Sequence, residues 1–121
     1  MGRAIPVLRI DNYAEAKAYY VGFLGFKIDF EWRHEEGFPV YLGLSRGVLV
    51  LHLTEHRGDM AGPGAAHVQV KNVREFHAEL MIKRSAMSEE LVDQAWGATE
   101  FKLVDPFDNR PVFTNSTPKP D

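Results

Sequence analysis

The chain has 121 residues, enough for one hydrophobic core and too few for a second independent one. It is 45% hydrophobic and 26% charged, which argues against extended disorder, and no run approaches the roughly 18 apolar residues of a spanning helix. Its 14 basic and 17 acidic side chains give a formal charge of −3 spread over both halves, so no basic stripe marks a nucleic-acid surface. The absence of cysteine excludes disulfides, thiolate metal sites and thiol nucleophiles. The apolar stretch from Ala4 to Leu8 is too short for the core of a signal peptide, so a cytoplasmic protein with no membrane partner is expected.

In chain order, Ile5 to Ile10 reads as a short strand, with Asp11-Asn12 as turn and helix cap. Asn12 precedes Glu15 by three residues, the spacing of a capping box. Tyr13, Ala16, Tyr20 and Phe23 recur at helical spacing, and Gly22 and Gly25 predict that this helix stops after about three turns. Three apolar runs follow, Phe26 to Arg33, Phe38 to Leu44 and Val48 to Thr54, the last two joined at hairpin spacing through Ser45-Arg46-Gly47. His56 to Gly64 is a loop by composition.

The pattern then returns. Ala65 to Val70 reads as a strand, Lys71-Asn72 as a turn, and Val73, Phe76, Leu80 and Met81 as a helical stripe ending near Lys83-Arg84. A shift of 60 residues places Ile10 on Val70, Asn12 on Asn72, Glu15 on Glu75 and Tyr20 on Leu80. The chain therefore reads as one domain, 1–121, made of two β-α-β-β-β modules at about 3–55 and 64–115, with 116–121 a frayed tail. Met87 to Val92 reads equally as strand, helical turn or loop. Thr99 to Val104 and Arg110 to Thr114 are strands around the turn Asp105 to Asn109. Pro111 belongs at an edge or where its missing N–H is not needed.

Strand alternation sorts the side chains by face. Leu49, Leu51 and Leu53 form an apolar set, leaving Val50, His52 and Thr54 opposite. Ala66, Val68 and Val70 likewise leave Ala65, His67 and Gln69. A surface carrying Arg9, His52, His67, Gln69, Arg110 and Thr114 among small apolar residues suits a ligand pocket, or the solvent face of a curved sheet. Trp32, Phe38 and Tyr41 are candidates for stacking on a flat ligand. So is Trp96, in a loop before a strand, where an indole either walls a cleft or anchors the loop. The five histidines do not match a compact metal spacing.

The strings Arg9-Ile10-Asp11-Asn12, Tyr19-Tyr20 and Phe23-Leu24-Gly25-Phe26 resemble the opening of the vicinal-oxygen-chelate superfamily, the glyoxalase, bleomycin-resistance and dioxygenase proteins. Ala95-Trp96-Gly97-Ala98-Thr99-Glu100-Phe101, followed by Asp105-Pro106-Phe107-Asp108-Asn109, is similar to the bleomycin-resistance branch, with Asp108 where glycine is usual. The resemblance implies an α+β fold, two modules whose mixed sheets curl around a cleft, and a homodimer with two equivalent pockets. It also implies metal-ligand positions, which fall on Ile5, His52, Ala65 and Val112. Only His52 of these can coordinate, and a two-residue slip would add His67.

The expectation is therefore a metal-independent protein without cofactor that binds a hydrophobic or aromatic small molecule, in the manner of drug-sequestering bleomycin-resistance proteins. Its ligand would touch Trp96, His52, His67, Gln69, Trp32, Phe38, Tyr41, Arg9 and Arg110. The competing reading is a glyoxalase- or dioxygenase-like enzyme with a metal on His52 and His67.

Overall fold

The computed structural model describes residues 4–56, 62–84 and 90–116. The first half runs β1 (Val7–Arg9), α1 (Tyr13–Lys17), β2 (Lys27–Trp32), β3 (Tyr41–Arg46) and β4 (Leu49–Thr54). The second runs β5 (Ala65–Gln69), α2 (Val73–Lys83), β6 (Val92–Asp93), β7 (Ala98–Lys102) and β8 (Arg110–Ser116). Each half closes a four-stranded mixed sheet, β1-β4-β3-β2 and β5-β8-β7-β6. In each, the first strand lies parallel to the last and the remaining neighbours are antiparallel. The paired β-α-β-β-β modules expected from the repeat are thus present, with the same order of strands in both sheets.

Both helices start as their caps dictate. The Asn12 side chain accepts from the Glu15 N–H at 2.9 Å, and Asn72 accepts from the Glu75 N–H at 3.3 Å. The first helix does not continue as a regular α-helix. From Ala18 to Phe23 it widens into a π-helical segment, and the Leu24 N–H reaches back to the Tyr19 carbonyl. Gly25, at φ +80°, then turns the chain out of it. Helical spacing alone does not distinguish this segment from an α-helix, because Tyr19, Tyr20 and Phe23 are buried in either.

One face of each sheet builds a shared core. Leu8, Leu42, Leu44, Leu51 and Leu53 from the first half join Val68, Phe76, Leu80, Phe101 and Phe113 from the second in a single cluster. Polar ties cross between the halves at its margins. The Tyr20 hydroxyl donates to Asp105 at 2.5 Å, Asn109 Nδ2 donates to the Arg9 carbonyl at 2.5 Å, and Arg46 grips the Glu79 carboxylate with two bonds of 2.8 and 2.9 Å.

Pro111 takes the second of its two expected placements. β8 is an interior strand of its sheet, so the proline is not at an edge. It accepts from the Leu103 N–H at 2.9 Å but has no N–H to return, and the β7–β8 ladder ends at Lys102–Val112. Residues 85–89, part of the ambiguous stretch before β6, lie outside the described residues, as does the tail beyond Ser116.

Candidate functional site

With one face of each sheet committed to the core, the opposite faces stay open. On the first sheet, register puts Trp32 beside Tyr41, Phe30 beside Gly43, and Gly43 beside His52. These side chains make one aromatic surface. Phe30 and Tyr41 lie nearly parallel with centroids 6.3 Å apart, and both meet the His52 ring edge-on, at 5.4 and 5.3 Å. The Tyr41 hydroxyl shares a hydrogen bond of 2.8 Å with His52 Nδ1. Gly43 makes the arrangement possible, since a Cβ there would collide with the Phe30 ring.

The surface extends past the strand end. Trp32 stacks on His56 at 6.1 Å and 28°, and it also approaches His34, which packs against Phe38 at 5.6 Å. His56 Nε2 is buried without a hydrogen-bond partner. Yet Trp32 and Phe30 keep 54% and 44% of their surface exposed. Large rings are thus held on a strand and left to solvent.

Beside Phe38 lies a cavity of ≈ 510 Å³ that Arg9, Tyr13 and Arg33 also line. The Arg9 guanidinium is buried and committed, donating to the Glu55 carbonyl at 2.8 Å and to Asp11 at 2.7 Å. It therefore offers no free charge to a ligand.

On the second sheet the open face carries Ala65, His67 and Gln69 from β5, Arg110, Val112 and Thr114 from β8, and Glu100 and Lys102 from β7. A cavity of ≈ 420 Å³ is lined by Ile5, Leu49 and Val50 from the first half and His67, Val68 and Gln69 from the second. Trp96 stands in the short connection between β6 and β7, before Gly97 at φ +96°, and is 56% exposed. Its indole is not part of the shared core.

The expected residues thus fall into groups. Trp32, Phe38, Tyr41 and His52 belong to the aromatic surface of the first sheet, His67, Gln69 and Arg110 to the open face of the second, Arg9, itself buried, to an ion pair with the exposed Asp11, and Trp96 to an exposed turn. Strand parity also points to two further members of these faces. Phe30 alternates with Trp32, and Lys102 alternates with Glu100.

The chain matches the model of a family described as glyoxalase superfamily protein over residues 1–118. It belongs to the glyoxalase superfamily. Among solved structures, this superfamily member resembles the bleomycin-binding protein from Streptomyces verticillus complexed with copper(II)-bleomycin, with 24% identity and a TM-score of 0.72 over 97% of this chain and 98% of that one. It resembles the bleomycin resistance determinant encoded on transposon Tn5 at 23% identity and a TM-score of 0.72, covering 98% of this chain and 100% of the other. A glyoxalase-related enzyme from Clostridium phytofermentans aligns at 17% identity with a TM-score of 0.70, over 97% and 96%. No curated protein sequence matches the chain. At these identities the structural likenesses establish the fold.

The residues do not fit the metal that some members of this superfamily use. At the ligand positions that the resemblance implies, Ile5, Ala65 and Val112 have no donor side chain, which leaves His52 alone, its Nδ1 shared with Tyr41 and its Nε2 a single donor. Among the described residues no three His, Asp or Glu side chains are grouped to hold an ion.

Proposed function

We propose that this superfamily member binds a flat aromatic small molecule on the open faces of its sheets and withholds it, as a bleomycin-resistance protein does, without a metal and without transforming it. The observation that carries this reading is the exposed aromatic surface of Phe30, Trp32, Tyr41 and His52, preset on a rigid sheet. Such a surface gains dispersion and burial on binding while losing little side-chain entropy. The solved complex of a like-folded protein with copper(II)-bleomycin supports the reading.

In this reading the protein is a cytosolic homodimer, and a second copy covers part of the exposed apolar surface. Trp96 is a contact of the ligand, an indole on a turn held by the scaffold. Antibiotic resistance is the natural consequence if the captured compound is a drug.

Titration calorimetry with aromatic compounds, and with metal-free and copper-bound bleomycin, tests the proposal. A bleomycin affinity weaker than ~100 μM, about −5.5 kcal/mol, excludes that drug. Trp96→Ala is expected to stay folded and to bind less tightly. Unfolding of Trp96→Ala, combined with unchanged affinity in Trp96→Phe, would remove Trp96 from the site.

A further inference from the structure

The open face of the second sheet has a charge arrangement that the aromatic reading does not use. Val112 is 6% exposed and buried, yet it lies outside the shared core because it points to the open side. Around it stand three nitrogen-bearing side chains on three adjacent strands. His67 on β5 and Lys102 on β7 are its register partners from either side, and Arg110 precedes it by two residues on β8, on the same face. On a sheet, direct and diagonal neighbours of this kind lie within reach of one another's long side chains.

Among the described residues the two fixed cations lack a direct ion-pair partner. Neither Lys102 nor Arg110 forms an ion pair or side-chain hydrogen bond among the described residues. Two acids share this part of the face without pairing with Lys102: Glu100, two residues before it, keeps its charge while accepting from Gln94 Nε2 at 3.0 Å, and Glu90 lines the same ≈ 390 Å³ cavity. Lys102 lies directly beside the buried Val112 and Arg110 lies diagonally from it, so two like charges flank an apolar residue on one face. An anion seated between them removes their mutual repulsion and accepts charge-assisted hydrogen bonds, including the planar fork of Arg110.

We infer that Lys102, Arg110 and His67 form an anion-recognition subsite, and that the ligand is an aromatic acid, a flat ring bearing a carboxylate, sulfonate or phosphate. This deepens the proposed function and rests on it for the aromatic part, whereas the anion subsite stands on the second sheet alone. It also sets the protein apart from a receptor for a polycationic drug, which the same two cations would repel.

The test uses the whole protein at low ionic strength. Sodium sulfate titrated into nitrogen-15-labelled protein should shift the backbone amides around Val112 saturably, and the double variant Lys102→Gln/Arg110→Gln should lose the saturation. Both replaced side chains are exposed, and the amide spectrum reports whether the variant is folded. In the second arm, naphthalene-2-carboxylate should bind at least about tenfold more tightly than the neutral naphthalene-2-carboxamide, a gap that disappears in the double variant while the amide's affinity holds. Failure of sulfate to saturate, or saturation unchanged in the double variant, overturns the subsite whatever the naphthalenes do. Equal binding of acid and amide, or tighter binding of the naphthylmethylammonium ion, overturns the acid preference. Saturable sulfate binding with no naphthalene bound would instead overturn the aromatic reading and leave the subsite standing.

Discussion

The Tyr41 hydroxyl lies 2.8 Å from Nδ1 of His52, and the two rings meet edge to face. The bond fixes the imidazole while its other nitrogen stays available to the open side of the sheet. Tyr41→Phe keeps the ring and removes the bond, so stability should fall by only ~0.5–1.5 kcal/mol. Affinity for an aromatic ligand should fall by about fivefold, ~1 kcal/mol, as the imidazole loses its fixed orientation. Thermal melts and calorimetry on the variant check both, and unchanged affinity would remove the pair from the site.

Gly43 has no room for a side chain under the Phe30 ring. Gly43→Ala should therefore cost ~1–3 kcal/mol through overpacking and displace the ring. In a Phe30→Ala background that cost should largely vanish, and urea titrations of the four proteins in the cycle give the coupling directly. Additive effects would show that the ring does not need the glycine.

Asp108 sits at φ +66°, a left-handed conformation that glycine adopts without penalty. The resemblance to the bleomycin-resistance branch marks the same position as a usual glycine. Asp108→Gly should raise stability by ~0.5–1 kcal/mol, partly offset by the freer unfolded chain, and Asp108→Val should lower it by ~1–2 kcal/mol. Denaturant midpoints for both variants test the sign.

The hydrogen bonds from Arg46, opposed by partial burial and aided by the Arg46 and Lys83 charges, hold the Glu79 carboxyl below its ordinary value of 4.5. A carboxyl depressed in the folded state adds stability above its unfolded value and loses it as pH falls through the folded one. Both side chains are about one-third or more exposed, so the contribution stays below ~1 kcal/mol. Glu79→Gln should thus be slightly less stable than the parent at neutral pH, with the gap closing in acid below the carboxylate range. Urea midpoints at neutral and acid pH test this, and a gap that persists in acid would show that the tie does not depend on the charge.

Much of the architecture could be read along the chain because both halves repeat their local signals. The Asn12 and Asn72 caps, the leucines of β4 and the glycine of the β3–β4 turn each have a cause within a few residues. The π-helical widening at Ala18 to Phe23 does not, because it depends on how Tyr19 and Tyr20 seat against the core. Alternation alone places Arg9 with the cleft. Its capture by the Glu55 carbonyl depends on the parallel pairing of β1 with β4, which no local pattern announces. Phe30 and Lys102 are within reach of the same parity argument that singles out His52 and His67.

Two of the bonds that join the halves span most of the chain, Tyr20 to Asp105 and Arg9 to Asn109. On the ribosome, the carbonyl of Arg9 waits for a partner until the turn at Asn109 has left the exit tunnel. The nascent first half must pass that interval with its share of the core uncovered. A polypeptide built this way closes its shared core only once both halves have been made.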